Sequence, residues 1–153
     1  MTSATRSGEQ LTERELAAWR GMLRTHRDLV GRLDAELERE QGLPLSSYEV
    51  LMYLADAGGR LRMGELAERL LLSRSGLTRL VDRLVKQGFV LRERCADDAR
   101  GFFAVLTEAG RDKLAGARPA HLAGVREHFL EHLDDTDLAA LARAWERVRS
   151  GQA

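Results

Sequence analysis

The chain has 153 residues, 44% of them apolar, and its 24 Lys and Arg balance 24 Asp and Glu. That size and apolar content suit one compact domain, and zero net charge excludes a generic polycation. A single cysteine excludes an internal disulfide, no basic segment precedes an apolar core near the N-terminus, and no apolar run approaches 18 residues, so neither export nor a membrane partner is expected and the setting is cytoplasmic.

Residues 1–10, MTSATRSGEQ, read as a disordered tail ahead of a single domain at 11–153. From 12 to about 40 one long helix is predicted, with Leu16, Trp19, Leu23, His26, Val30, Leu33 and Leu37 along a stripe. At 1.5 Å per residue it spans roughly 40 Å, more than so small a domain needs for its own core.

The next legible elements are two short helices joined by a tight turn. Gly64 to about Leu70 turns Leu66, Ala67 and Leu70 inward, though Arg62 and Met63 are poor caps for its start. The second begins after Ser73, whose hydroxyl suits the free N–H groups of the first turn, and stops at Gly88. Leu77, Leu80, Val81, Leu84 and Val85 recur at steps of three and four, which places Ser75, Thr78, Arg79, Asp82 and Lys86 opposite. Arginine reads guanine through two hydrogen bonds, Ser and Thr bond to bases or phosphates, and the N-terminal half of such a helix reaches deepest into the major groove. Ser73, Arg74, Ser75, Thr78 and Arg79 are therefore the candidate DNA contacts. Asp82, a turn later, is expected to orient an arginine rather than face phosphates.

After Gly88 the period changes. Phe89, Leu91 and Glu93 alternate with Val90, Arg92 and Arg94, ADDARG makes a polar turn, and Phe102 to Leu106 return. Arg94 and Arg100 on this arm suit a flanking minor groove, where negative potential concentrates. Charge supports that placement: residues 60–104 hold ten Lys or Arg against six Asp or Glu, a net of +4, and the remainder holds fourteen against eighteen, a net of −4. A local positive surface is the footprint of phosphate binding.

Two more helices are predicted at about 107–132 and 135–149, the first bent at Pro119, whose ring removes a helical hydrogen bond. Leu122, Val125, Phe129 and Leu133 line one, and Leu138, Leu141, Trp145 and Val148 the other. The terminal segments, 11–45 and 107–153, are expected to pair two copies, and 46–106 to form a winged helix-turn-helix. The fold class is thus mainly α with a small β-wing and long dimerisation helices.

Other constellations are weaker. His121, His128 and His132 share a helix face, but the face borders an apolar stripe and reads as an interface boundary rather than a metal site. Cys95, near Arg92 and Arg94, is read as structural rather than redox-active. Trp19 and Trp145 suit a core, as large aromatics in helical stripes usually do; Trp19 and His26 are the candidates for a small-molecule site. No Gly-rich phosphate loop, HExxH, CxxC or GxSxG occurs, so no enzyme, cofactor or metal is expected.

The run LAERLLLSRSGLTRLVDRLVKQGFVLRER, then Asp98-Ala99-Arg100 ahead of Leu106-Thr107 and Glu108-Ala109-Gly110-Arg111, resembles the MarR-type (multiple antibiotic resistance) transcriptional regulators from about residue 12 onward. Leu91, where an acidic residue is frequent, and Cys95, where proline is frequent, depart from that pattern. The resemblance implies that Asp98 and Arg100 belong to the wing, with the arginine at its tip, and that Leu106-Thr107 starts a dimerisation helix; Asp98, two residues before Arg100, is expected to hold the wing or Arg100 in place by an ion pair. It also implies a homodimer on an inverted-repeat operator, acting as a repressor, less often an activator, and released by a small phenolic or other aromatic effector. The family's peroxide-sensing members carry their cysteine in the first helix, where this chain has none. The alternative is a winged-helix protein-interaction module without specific DNA binding.

Overall fold

The computed structural model describes residues 10–151; most of the segment read as a disordered tail, residues 1–9, lies outside the described residues. Helix α1, Glu13–Gln41, starts at a capping box in which Thr12 and Glu15 each bond the other's backbone N–H, and ends at Gly42 in the left-handed region (φ 62°). Its 29 residues make a rod of roughly 44 Å. Leu37 is its one fully buried residue.

Helix α2, Leu45–Asp56, was not legible in the sequence. Its N-terminal Pro44 supplies no side-chain cap, and Asp34 of α1 takes over: its carboxylate accepts the Leu45 N–H at 2.8 Å. Leu45, Tyr48, Val50, Leu51 and Leu54 are all buried, which makes α2 the centre of the core. A three-residue strand β1, Arg60–Arg62, also unforeseen, leads into α3, Met63–Leu70.

The turn after α3 is a Schellman turn: Leu72 N–H bonds Ala67 C=O at 3.1 Å and Leu71 N–H bonds Glu68 C=O at 3.3 Å. Leu71 sits at φ 54°, alone among the described non-glycine residues in the left-handed region, at a backbone cost of about 1–2 kcal/mol. Helix α4, Arg74–Lys86, follows, with Leu77, Leu80, Val81 and Leu84 buried as the spacing predicts.

Strands β2, Val90–Cys95, and β3, Asp98–Leu106, complete an antiparallel sheet of order β1-β3-β2. The register corrects the predicted turn. Cys95 pairs with Asp98, so only Ala96 and Asp97 turn, and Asp98, Ala99 and Arg100 belong to β3. Of these only Asp98 has a ladder partner; Ala99 and Arg100 fall in a bulge, since the next pair inward is Arg94 with Phe102. Arg100 accordingly lies in that bulge near the start of β3, three residues past the two-residue turn at Ala96 and Asp97.

Helix α5, Glu108–His128, runs through Pro119 without interruption and ends four residues earlier than expected; a single 3-10 turn, Leu130–His132, then leads to α6, Asp135–Ser150. Two glycines set the approach of α5. A Cβ on Gly110 would lie 2.2 Å from the Phe89 carbonyl, and one on Gly124 would lie 2.8 Å from Leu33 of α1. The reading of Trp19 and Trp145 as core fails within one chain: they are 53% and 41% exposed. Helix α6 buries no residue at all.

Candidate nucleic-acid interface

The site is built on the helix pair α3–α4 and on the β2–β3 wing. Ser73 caps α4, its hydroxyl accepting the Gly76 N–H at 3.1 Å and lying 3.2 Å from the Ser75 hydroxyl. The cap fixes the first turn, so the exposed Arg74, Ser75, Thr78 and Arg79 project from a rigid start while the buried leucines hold the opposite face. That first turn also carries the positive end of the helix dipole, which favours a phosphate nearby.

The wing is tied to this helix. Arg92 of β2 pairs with Asp82 of α4 at 2.8 Å and reaches the Thr78 carbonyl at 3.4 Å. Asp82 thus orients an arginine, as expected, and the arginine is one the sequence reading had not chosen. The alternation of β2 contained the signal: Arg92 shares its strand face with the buried Val90, which points it toward α4. Further pairs brace the sheet: Arg62 with Asp97 in the turn at 3.1 Å, and Arg60 with Glu93 at 3.6 Å while stacking over Phe103 at 3.9 Å.

Between α3, α4 and the wing lies an open groove of about 530 Å³. It brings together Arg74 and Thr78 of α4, Asp98 and Arg100 of β3, and adds Arg62 and Arg92. Arg79 and Ser75 lie outside its lining, and so does Arg94, whose guanidinium rests over the Phe102 ring at 5.8 Å. Asp98 acts on Arg100 through the backbone, accepting its N–H at 3.0 Å; that hydrogen bond replaces the expected side-chain ion pair. Cys95 is buried beside the turn, at the outer end of the wing. Glu65, Glu68 and Asp98 line the groove as well, and Arg62 and Arg92 are held in ion pairs; among the described residues Arg74 and Arg100 enter no ion pair, and they are the groove's cations best placed to meet a phosphate.

The comparisons with known proteins agree. The MarR family model matches residues 41–101. The transcriptional repressor YetL of Bacillus subtilis is 31% identical over 112 residues, 71% of this chain and 67% of its own length. AbsC, a MarR family regulator from Streptomyces coelicolor, superposes with a TM-score of 0.86 at 36% identity, covering 94% of this chain and 97% of AbsC. The chain belongs to the MarR family. A second MarR regulator of that organism, Sco3205, solved in complex with DNA, matches equally well (TM-score 0.86, 36% identity, 94% of this chain and 91% of Sco3205). This MarR protein is a DNA-binding transcriptional regulator and not an enzyme, and the interaction-module alternative is not favoured.

The other sequence candidates scatter. Trp19 and His26 both lie exposed on α1. The three histidines separate: His128 bonds Glu36 of α1 at 2.7 Å, His121 stacks on Tyr48 at 4.5 Å, and His132 is exposed in the 3-10 turn. Among the described residues no group of three His, Cys, Asp or Glu is arranged to hold a metal, and no helix is long and apolar enough to cross a membrane.

Proposed function

We propose that the protein is a homodimeric repressor that works in the cytoplasm on an inverted-repeat operator, with α4 of each copy in successive major grooves and each wing over the flanking minor groove. The observation that carries the dimer is the uncovered apolar surface at both ends of the chain. Trp19, Leu23 and Val30 of α1 are exposed together with Trp145 and Val148 of α6, a helix with no fully buried residue in its own chain. A second copy is the natural cover, and two-fold pairing of the segments 11–45 and 107–153 sets two reading heads, each within 46–106, one DNA turn apart. In this reading Ser73, Arg74, Ser75, Thr78 and Arg79 face bases and phosphates, and Arg94, Asp98 and Arg100 serve the wing. Light scattering and footprinting test it together. The expected result is a dimer at micromolar concentration protecting half-sites about 10 base pairs apart. A stable monomer that protects one half-site tightly would overturn it.

A second reading concerns release. Where α1, α2 and α5 meet, Glu49 has its carboxyl pushed above the ordinary 4.5 by burial, partly offset by the charge of His26. His121 is pushed below 6.5 by burial, and its Nδ1 is buried without a hydrogen-bond partner. One polar atom left unsatisfied at a helix junction, the His121 Nδ1, favours a small effector with its own hydroxyl and an aromatic ring for Tyr48. His26 belongs to this lining, and Trp19, two turns earlier on α1, joins it across the dimer. Such a ligand need only favour a spacing of the two α4 helices that no longer fits adjacent grooves. A panel of simple phenols that releases the operator from the wild type but not from His121→Leu supports it; release that is indifferent to that change refutes it.

A further inference from the structure

Leu71 combines two features that a folded chain ordinarily avoids. Its backbone is left-handed (φ 54°) at the Schellman position that glycine usually fills, and the residue is 91% exposed. Within the chain neither feature compensates the other: a glycine would relax the backbone and lose no packing. Leu72 beside it is 39% exposed, and Ser73, the cap of α4, follows at once. The two leucines therefore form an apolar step directly before Arg74 and Ser75, in surroundings that are otherwise polar.

We infer that Leu71, flanked by Leu72, is a DNA contact that packs against the apolar edge of a nucleotide beside the bases read by α4. The inference rests on the assignment of α4 to the major groove. A groove wall offers two apolar surfaces, the thymine C5 methyl and the deoxyribose. Continuity with α4 singles out DNA as the occupant; the apolar residues assigned to the dimer lie on other elements, α1 and α6. Covering roughly half of a leucine side chain corresponds to roughly tenfold in affinity. Because such a contact displaces no counterion, it leaves the salt dependence unchanged, unlike the arginine contacts around it.

The test compares the full-length wild type with Leu71→Gly, Leu71→Asn and Leu71→Met by thermal melting and by anisotropy titration of an operator duplex at several salt concentrations. Leu71→Gly should melt at the same temperature or higher and bind the operator roughly tenfold more weakly, with an unchanged salt slope. Leu71→Asn, which tolerates the backbone but is polar, should lose affinity likewise, and Leu71→Met should retain most of it. Opposite signs for stability and affinity are what a purely structural turn residue cannot produce. Duplexes with single thymine-to-uracil replacements identify the surface. A replacement that weakens the wild type but not Leu71→Gly assigns the methyl group; weakening by Leu71→Gly with no such replacement effect assigns the sugar. Leu71→Gly that binds as tightly as wild type overturns the inference, and so does a variant that keeps its DNA affinity while losing self-association. Wild type that binds no duplex overturns the DNA assignment of α4 as well, whereas wild type that binds but is indifferent to residue 71 overturns this inference alone.

Discussion

The pair Arg92–Asp82 separates two accounts of how the wing reaches DNA, because they predict opposite signs. Asp82 is an acidic residue on the helix that enters the groove. If charge alone mattered, Asp82→Ala would remove a repulsion with phosphate and tighten binding, by about 0.5 kcal/mol for a charge roughly 8 Å away in water. If the ion pair positions the wing, the same change frees β2 from α4 and weakens binding. The bond is short, 2.8 Å, but its side chains are 30% and 51% exposed, so it is worth about 0.5–1 kcal/mol to the fold, a melting shift of roughly 1–4 °C. The effect on DNA should be larger than the effect on stability, since a wing set loose also loses Arg100. We expect Asp82→Ala to weaken the operator complex about five- to tenfold and to lower the salt slope by about 1, one phosphate contact. Arg92→Ala should do the same, and the double variant should be no worse than the weaker single. Anisotropy titrations of the three variants across a salt series measure all of this. Tighter binding by Asp82→Ala, or strictly additive losses, would refute the positioning role.

Four further outcomes are expected. Arg79→Ala should cost about 1–3 kcal/mol on the operator and relax base preference at one position of each half-site, whereas Arg100→Ala should weaken operator and scrambled duplexes alike and flatten the salt dependence. Gly110→Ala forces a methyl group against the Phe89 carbonyl, which is backbone and cannot step aside, so chemical denaturation should show a loss of about 3 kcal/mol or more. His121 is held below its ordinary pKa by burial, so the stability it confers is complete above about pH 6.5 and is lost as pH falls through its lowered folded-state value. His121→Phe, which keeps a ring on Tyr48, should flatten the fall in melting temperature between about pH 7 and 5. Cys95→Ser should leave DNA binding and any response to peroxide nearly unchanged, because the thiol is buried; normal binding with loss of oxidant release would overturn that.

The elements legible in the sequence were those with one buried face and one wet face. Helix α4 shows this plainly: Leu77, Leu80, Val81 and Leu84 alternate with arginines, serine and threonine at the helical period. Helix α2 does not, because a helix at the centre of the core is apolar on several sides and carries no clean stripe. Strand β1 is too short for an alternation, and its partners Phe103, Ala104 and Val105 are some forty residues away, a pairing only the folded backbone reveals. Asp98 looks like loop by composition yet pairs with Cys95, and Arg100 lies in the bulge that follows, a register break that composition does not show. The candidate contacts on α4 were legible from spacing. The clamp through Arg92 needed the strand's facing direction, and Leu71 was hidden inside a Leu-Leu-Leu run that reads as more helix.

The most direct measurement is an equilibrium titration of the full-length protein on the DNA upstream of its own coding region, against a scrambled duplex of equal length and over a range of salt. The account predicts two chains per duplex, affinity at least about a thousandfold higher for the upstream DNA, and a steep linear fall of log affinity with log salt concentration. Equal affinity for both duplexes, or binding insensitive to salt, would contradict it.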